Sequence, residues 1–175
     1  FYEGMIIAHA LPNEQVQAKL QAIAPVVMVS EYSNSDLSYV AIDNFKSAYI
    51  AVLYLLNSGY KKIALINSSL RNNSTDLLSR DNRPDAIFCV SDVYAAAVTK
   101  AAAGLGLSIP KDVAVIGFDN IDLSTMTSPP ITTIAQPAFQ LGAQACSMLI
   151  DRIEYPSTTP RRILLDGELI LRGTT

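Results

Sequence analysis

Seven apolar runs of this chain end in side chains that can hydrogen-bond: His9, Ser30-Glu31, Asp43-Asn44, Asn67-Ser68, Ser91-Asp92, Asp119-Asn120 and Gln136. Amides, hydroxyls and carboxylates of this kind recognise the hydroxyl and amine edges of a small polar molecule. A well-formed bond to a charged partner contributes roughly 1.5–3 kcal/mol. The sharpest case is Val113 to Asn120. Six uncharged residues, Val113-Ala114-Val115-Ile116-Gly117-Phe118, read as a buried strand that stops at a carboxylate and an amide. In open α/β sheets, ligands sit just beyond the carboxyl ends of the strands, which is where this places Asp119. The competing reading is that Asp119 merely starts a turn before Ile121. Asn13, Asp43 and Asp92 likewise stand where helix caps stand.

The elements that must position these groups alternate along the chain. Strands are expected at 4–8, 26–29, 39–42, 63–66, 86–90, 113–118, 132–135, 163–165 and 169–171. A helix is expected from Pro12-Asn13-Glu14, with Val16, Leu20 and Ile23 on one face. Another follows Asn44 to about Leu56 and stops at Ser58-Gly59, where glycine fits a left-handed cap. It is apolar nearly all round, so burial on more than one side is expected. An alanine-rich helix from Val93 to about Ala103 is closed by Gly104 and Gly106, and a last one spans about 138–153. Asp166-Gly167 favours a tight hairpin between the last two strands, with a looser crossing as the alternative. Residues 70–82 are polar and carry little pattern. Strand–helix alternation of this kind is the signature of parallel sheets flanked by helices, an α/β fold.

The bulk numbers exclude several classes. Half of the 175 residues are hydrophobic and 17% are charged, so a packed core is expected rather than disorder. A net charge of −3 offers no basic face for nucleic-acid phosphates. No run approaches the length of a membrane span, and no signal peptide is visible. Cys89 and Cys146 have neither metal nor redox spacing and read as buried, reduced thiols of a cytoplasmic protein. No metal or organic cofactor is indicated. Catalysis is disfavoured: His9 is the sole histidine, and no nucleophile elbow, HExxH, P-loop or GxGxxG occurs. A pairing of Asp119 with Asp92 or Glu31 for acid–base work has no sequence support for a raised pKa.

Several strings then matter by their order. They are Val40-Ala41-Ile42-Asp43-Asn44, Ser58-Gly59-Tyr60-Lys61-Lys62-Ile63-Ala64, Arg83-Pro84-Asp85-Ala86-Ile87-Phe88-Cys89 with Ser91-Asp92, and Gly106-Leu107-Ser108-Ile109-Pro110-Lys111-Asp112-Val113. Ile116-Gly117-Phe118-Asp119-Asn120, Pro129-Pro130 through Gln136-Pro137, and Glu168-Leu169-Ile170-Leu171-Arg172-Gly173 complete the series. Together they cover about the last four fifths of the chain. In this order and spacing they resemble the effector-binding core of the lactose/galactose-repressor family of bacterial transcription regulators. The stretch from Asp119 to Pro137 is similar to the cytidine-repressor branch of that family.

The resemblance implies a two-lobe, periplasmic-binding-protein-like fold, each lobe a mostly parallel sheet flanked by helices, with an effector between them. One lobe would hold residues 1–42 and 131–155, the other 43–130 and 156–175. It implies effector contacts from Asp119 and Ser91. Ser30 stands where many members carry a pocket aspartate. Asn120, Asp43, His9 and Gln136 complete the candidate set from the strand ends. The expected partners are a small effector (nucleoside, purine or sugar), a second copy in a homodimer, and operator DNA through a helix-turn-helix head. That head and the first βαβ turns stand upstream of Phe1 in the family and are absent here, so this chain as written is not expected to bind operator DNA. The family also carries a further helix–strand–helix between Ser69 and Thr75, with an arginine that contacts ligand, so the pocket is expected to be incomplete. A periplasmic sugar-binding protein for import shares the two-lobe plan and is the alternative.

Overall fold

The computed structural model describes residues 3–33, 36–67 and 74–175. The chain divides into two compact units. Unit 1 comprises Phe1–Asp43 and Pro137–Asp166; unit 2 comprises Asn44–Gln136 and Gly167–Thr175.

Unit 1 contains β1 (Met5–Ile7), α1 (Glu14–Gln21), β2 (Val26–Val29), β3 (Ser38–Ile42), α6 (Ala138–Glu154) and β8 (Arg162–Leu165). Its sheet has the order β1-β2-β3-β8 and every pairing is parallel. Asn13 caps α1, its side chain accepting from Val16 N at 3.0 Å, as its position suggested. Leu141, Ala145 and Met148 recur at helical spacing on α6 and bury against Val27 and Val40 of the sheet.

Unit 2 contains α2 (Asn44–Asn57), β4 (Ile63–Ile66), α3 (Ser74–Leu78), β5 (Ala86–Cys89), α4 (Asp92–Gly104), β6 (Ala114–Asp119), α5 (Leu123–Met126), β7 (Thr132–Ala135) and β9 (Glu168–Ile170). Its sheet runs β4-β5-β6-β7-β9, parallel except for the antiparallel β9 at the edge. Ile66, Ile87, Cys89 and Val115 pack under Ala95, Val98 and Ala102 of α4 and Leu78 of α3. Each such aliphatic side chain contributes on the order of 1.5–3 kcal/mol by burial. The α/β class with two mainly parallel sheets agrees with the sequence reading.

Several expectations need correction. The stretch 131–136 belongs with unit 2 and 156–166 with unit 1, because hydrogen-bond ladders decide membership. β7 pairs with β6 and β9, and β8 pairs with β3. Asp166-Gly167 is therefore not a hairpin: the strands either side of it lie in different sheets. Helix α2 buries only Ser47, Ala51 and Leu55, a single stripe of i, i+4 spacing, while Phe45 is 83% exposed and Tyr49 and Leu56 are exposed too. Hydrophobicity all round the helix did not translate into burial all round. Cys89 is buried and free, but Cys146 is exposed. Gly59 adopts φ +94° after α2, the left-handed cap its type allows. Among the described residues no helix is long and apolar enough to cross a membrane. The expected departure between Ser69 and Thr75 falls largely on residues 68–73, outside the described residues.

Candidate functional site

Strand β6 runs through the buried centre of unit 2 and delivers Asp119 half-buried at its carboxyl end. Asp119 and Asn120 both take positive φ, 102° and 55°, which non-glycine residues rarely adopt. Neighbouring β7 stops one residue before Gln136, whose Nε2 donates to Asp119 Oδ1 at 2.6 Å. Ser91, at the end of β5, donates to the same carboxylate. The register makes this possible: Asp119 pairs with Ala135, so Gln136 lies next to it across the ladder. Burial raises the Asp119 pKa, the neighbouring Asp92 charge raises it further, and the bonds from Gln136 and Ser91 pull it back.

Ser91 has a second task. Its backbone is extended and its hydroxyl accepts from Val93 N, so Ser91, not Asp92, caps α4. Asp92 is fully buried instead. Its Oδ1 accepts from Thr133 Oγ1 at 2.6 Å and its Oδ2 from Ile121 N at 2.9 Å. Burial pushes its carboxyl above the usual range, against the pull of the Thr133 and backbone donors. Gly117 makes room for this: a Cβ there would stand 2.2 Å from Asp92 Oδ1.

The same carboxyl-end rim carries an apolar hollow on the α2 face of the sheet. Asn44, Ala48, Leu65, Phe88, Val90 and Phe118 line a cavity of about 400 Å³. Phe88 and Phe118 stand 6.4 Å apart, tilted by 57°. The hollow offers a surface for a flat or apolar moiety, and Asp119, which follows Phe118 in the chain, offers directional acceptors at the same end of the sheet.

Unit 2 thus brings together Asp119, Ser91 and Gln136 in direct contact. Asn120 follows Asp119, but its Oδ1 accepts from Arg172 Nη2 at 2.6 Å. His9, Ser30 and Asp43 follow three neighbouring strands of unit 1, with His9 and Ser30 exposed and Asp43 half-buried. Ser30 also takes a positive φ of 64°. Sequence reasoning missed Arg172, Thr133 and the inward turn of Asp92. The available signals were Gly117, whose lack of a side chain marks a close approach, and the arginine inside the Glu168-to-Gly173 string. Among the described residues, no group of three His, Cys, Asp or Glu side chains could hold a metal ion.

The model of the periplasmic binding protein-like domain matches residues 57–175. The chain belongs to this family. The HTH-type transcriptional repressor CytR of Escherichia coli (strain K12) is 32% identical over 213 aligned positions, covering 99% of this chain and 62% of the relative. The alignment is longer than the chain, so that relative carries stretches with no counterpart here. The HTH-type transcriptional repressor PurR of Histophilus somni is 29% identical, over 89% of this chain and 58% of its own length. Among solved structures, an uncharacterized protein from Actinobacillus succinogenes superposes with a TM-score of 0.90 at 31% identity, over 99% of this chain and 78% of that one. A LacI family transcriptional regulator from Enterococcus faecium with bound ribose gives 0.86 at 25% identity, over 99% and 79%. The chain therefore spans less than two thirds of the curated repressors it matches. The resemblance drawn from the ordered strings, to lactose/galactose-type repressor cores, is borne out by these relatives.

Proposed function

We propose that this chain is the effector-sensing core of a bacterial transcriptional repressor, and that it binds a small nucleoside- or sugar-like molecule at the Asp119 rim. The carrying observation is Asp119 itself: half-buried at the carboxyl end of β6, oriented by Gln136 and Ser91, and one residue beyond Phe118, which walls the apolar hollow. An ionised carboxylate has about four lone-pair sites, and the two donors leave acceptors for effector hydroxyls or amines. Asn120, Ser30, Asp43 and His9 remain candidates for further contacts. Two of the relatives named above are transcriptional repressors and a third is a transcriptional regulator with bound ribose, which supports binding over turnover and regulation over import. In that setting the complete protein acts in the cytoplasm as a homodimer, contacts operator DNA through a head outside these residues, and needs no cofactor. Effector binding then shifts operator affinity by a coupling of typically 1–3 kcal/mol.

The test is Asp119→Ala against a panel of ribonucleosides, purines and ribose by calorimetry. The expected loss for any ligand bound is about 1.5–3 kcal/mol, roughly 10- to 150-fold in affinity. Unchanged affinity removes Asp119 from the site.

A further inference from the structure

The turn Asp119-Asn120-Ile121 is an unusual way to end a central strand. Two consecutive non-glycine residues hold left-handed φ values. Such conformations persist where the surroundings over-determine them. Two side chains do this here, each holding a different residue of the segment. From inside the unit, Asp92 takes the Ile121 amide on one oxygen and the Thr133 hydroxyl on the other, tying the turn to β7. Beyond the turn, Arg172 donates from Nη2 to Asn120 Oδ1 at 2.6 Å and from Nη1 to Ile131 O at 2.8 Å and Ser124 Oγ at 3.1 Å. Arg172 is itself seated by the segment that follows it. Gly173 N donates to Pro130 O, and Thr174 Oγ1 donates to Val115 O while accepting from Thr132 N.

We propose that Asp92 and Arg172 are positioning residues for Asp119, a two-residue clamp that fixes the Asp119–Ile121 turn and thereby the direction in which its carboxylate meets the effector. The inference rests on the reading of Asp119 as an effector ligand. The residue types matter as much as their places. Asp92 meets two donors with two acceptor oxygens; an asparagine would turn an N–H₂ group against one of them. Arg172 reaches three acceptors with one planar fork, which a single ammonium cannot reproduce. Neither residue touches the effector in this scheme: Asp92 has no exposed surface, and Arg172 is spent on Asn120, Ser124 and Ile131.

The experiment compares the full chain with Asp92→Asn and Arg172→Lys. Val98→Ala, in the α4 core and far from the turn in sequence, serves as the destabilised control. Amide exchange at Ile121 and the Gln136 side-chain NH₂ resonance are followed without ligand, and affinity for D-ribose and a ribonucleoside panel is measured by calorimetry. In both clamp variants, Ile121 exchange should quicken about tenfold or more, the Gln136 resonance should move, and affinity should fall about tenfold. Val98→Ala should leave the Gln136 resonance and the affinity unchanged. The clamp is overturned if the Ile121 and Gln136 signals stay put in both variants, if they respond while affinity holds, or if the control loses affinity equally. Failure of the site reading is visible separately, as unchanged affinity in Asp119→Ala.

Discussion

On one face of the unit 2 sheet, Ile66, Ile87, Cys89 and Val115 lie under α3 and α4 with no exposed surface. On the other, Leu65 is 54% exposed at the edge strand, and Phe88 and Phe118 wall a hollow beneath the start of α2. The strands are shared, so strand propensity does not explain the contrast. It comes from what covers each face. Alanines 95 and 102 let α4 approach the sheet closely and fill its grooves. Helix α2 offers the sheet only Ser47, Ala51 and Leu55, and leaves the rim open. The closed face is fully covered, while the rim beneath the start of α2 leaves apolar surface open.

That contrast can be broken experimentally. Ile87→Ala, on the closed face, should cost about 2–5 kcal/mol in urea unfolding, because rigid neighbours cannot collapse into the space. A loss below about 1 kcal/mol would show that this face is not tightly packed. Gly117→Ala should cost about 1–3 kcal/mol, since the added methyl meets a buried, doubly bonded carboxylate. A neutral result would mean Asp92 moves freely.

A smaller, pH-dependent effect should come from Asp119, whose pKa burial raises in the folded chain. The folded state then holds a proton that the unfolded state releases. Its stabilising contribution is full below the ordinary aspartate value of about 3.9 and is lost as pH rises through the raised value. The stability of the parent chain minus that of Asp119→Asn should therefore decline from pH 4 toward neutrality; a rising difference contradicts the assignment. Last, Leu65→Ala on the open face should change stability by less than about 1 kcal/mol, as an exposed side chain forfeits little. A loss above 2 kcal/mol would mean that β4 is covered after all.

Much of this was legible along the chain. The strand at 132–135, the Asn13 cap and the Gly59 stop follow from local patterns that neighbours did not override. Asp119 stood out because an uncharged run ends there. What escaped the sequence involved distance. The bond from Arg172 to Asn120 spans 52 positions and that from Thr133 to Asp92 spans 41. Asp92 has the composition of a cap, yet Ser91 already takes the Val93 amide in the first turn, which frees Asp92 to turn inward. The sidedness of α2 escaped for a related reason. Hydrophobic type reports what a residue tolerates, and burial depends on what arrives to cover it.

By itself, the order of residues determined the alternating elements, the α/β class and the row of polar strand ends, because these depend on periodicity and local backbone preference. Only the tertiary structure decided which of those ends meet, Asp119 with Gln136 and Ser91, and that Asn120 meets Arg172 from outside the row. Ladder register and close packing bring residues dozens of positions apart within hydrogen-bonding reach, and no local pattern encodes that distance.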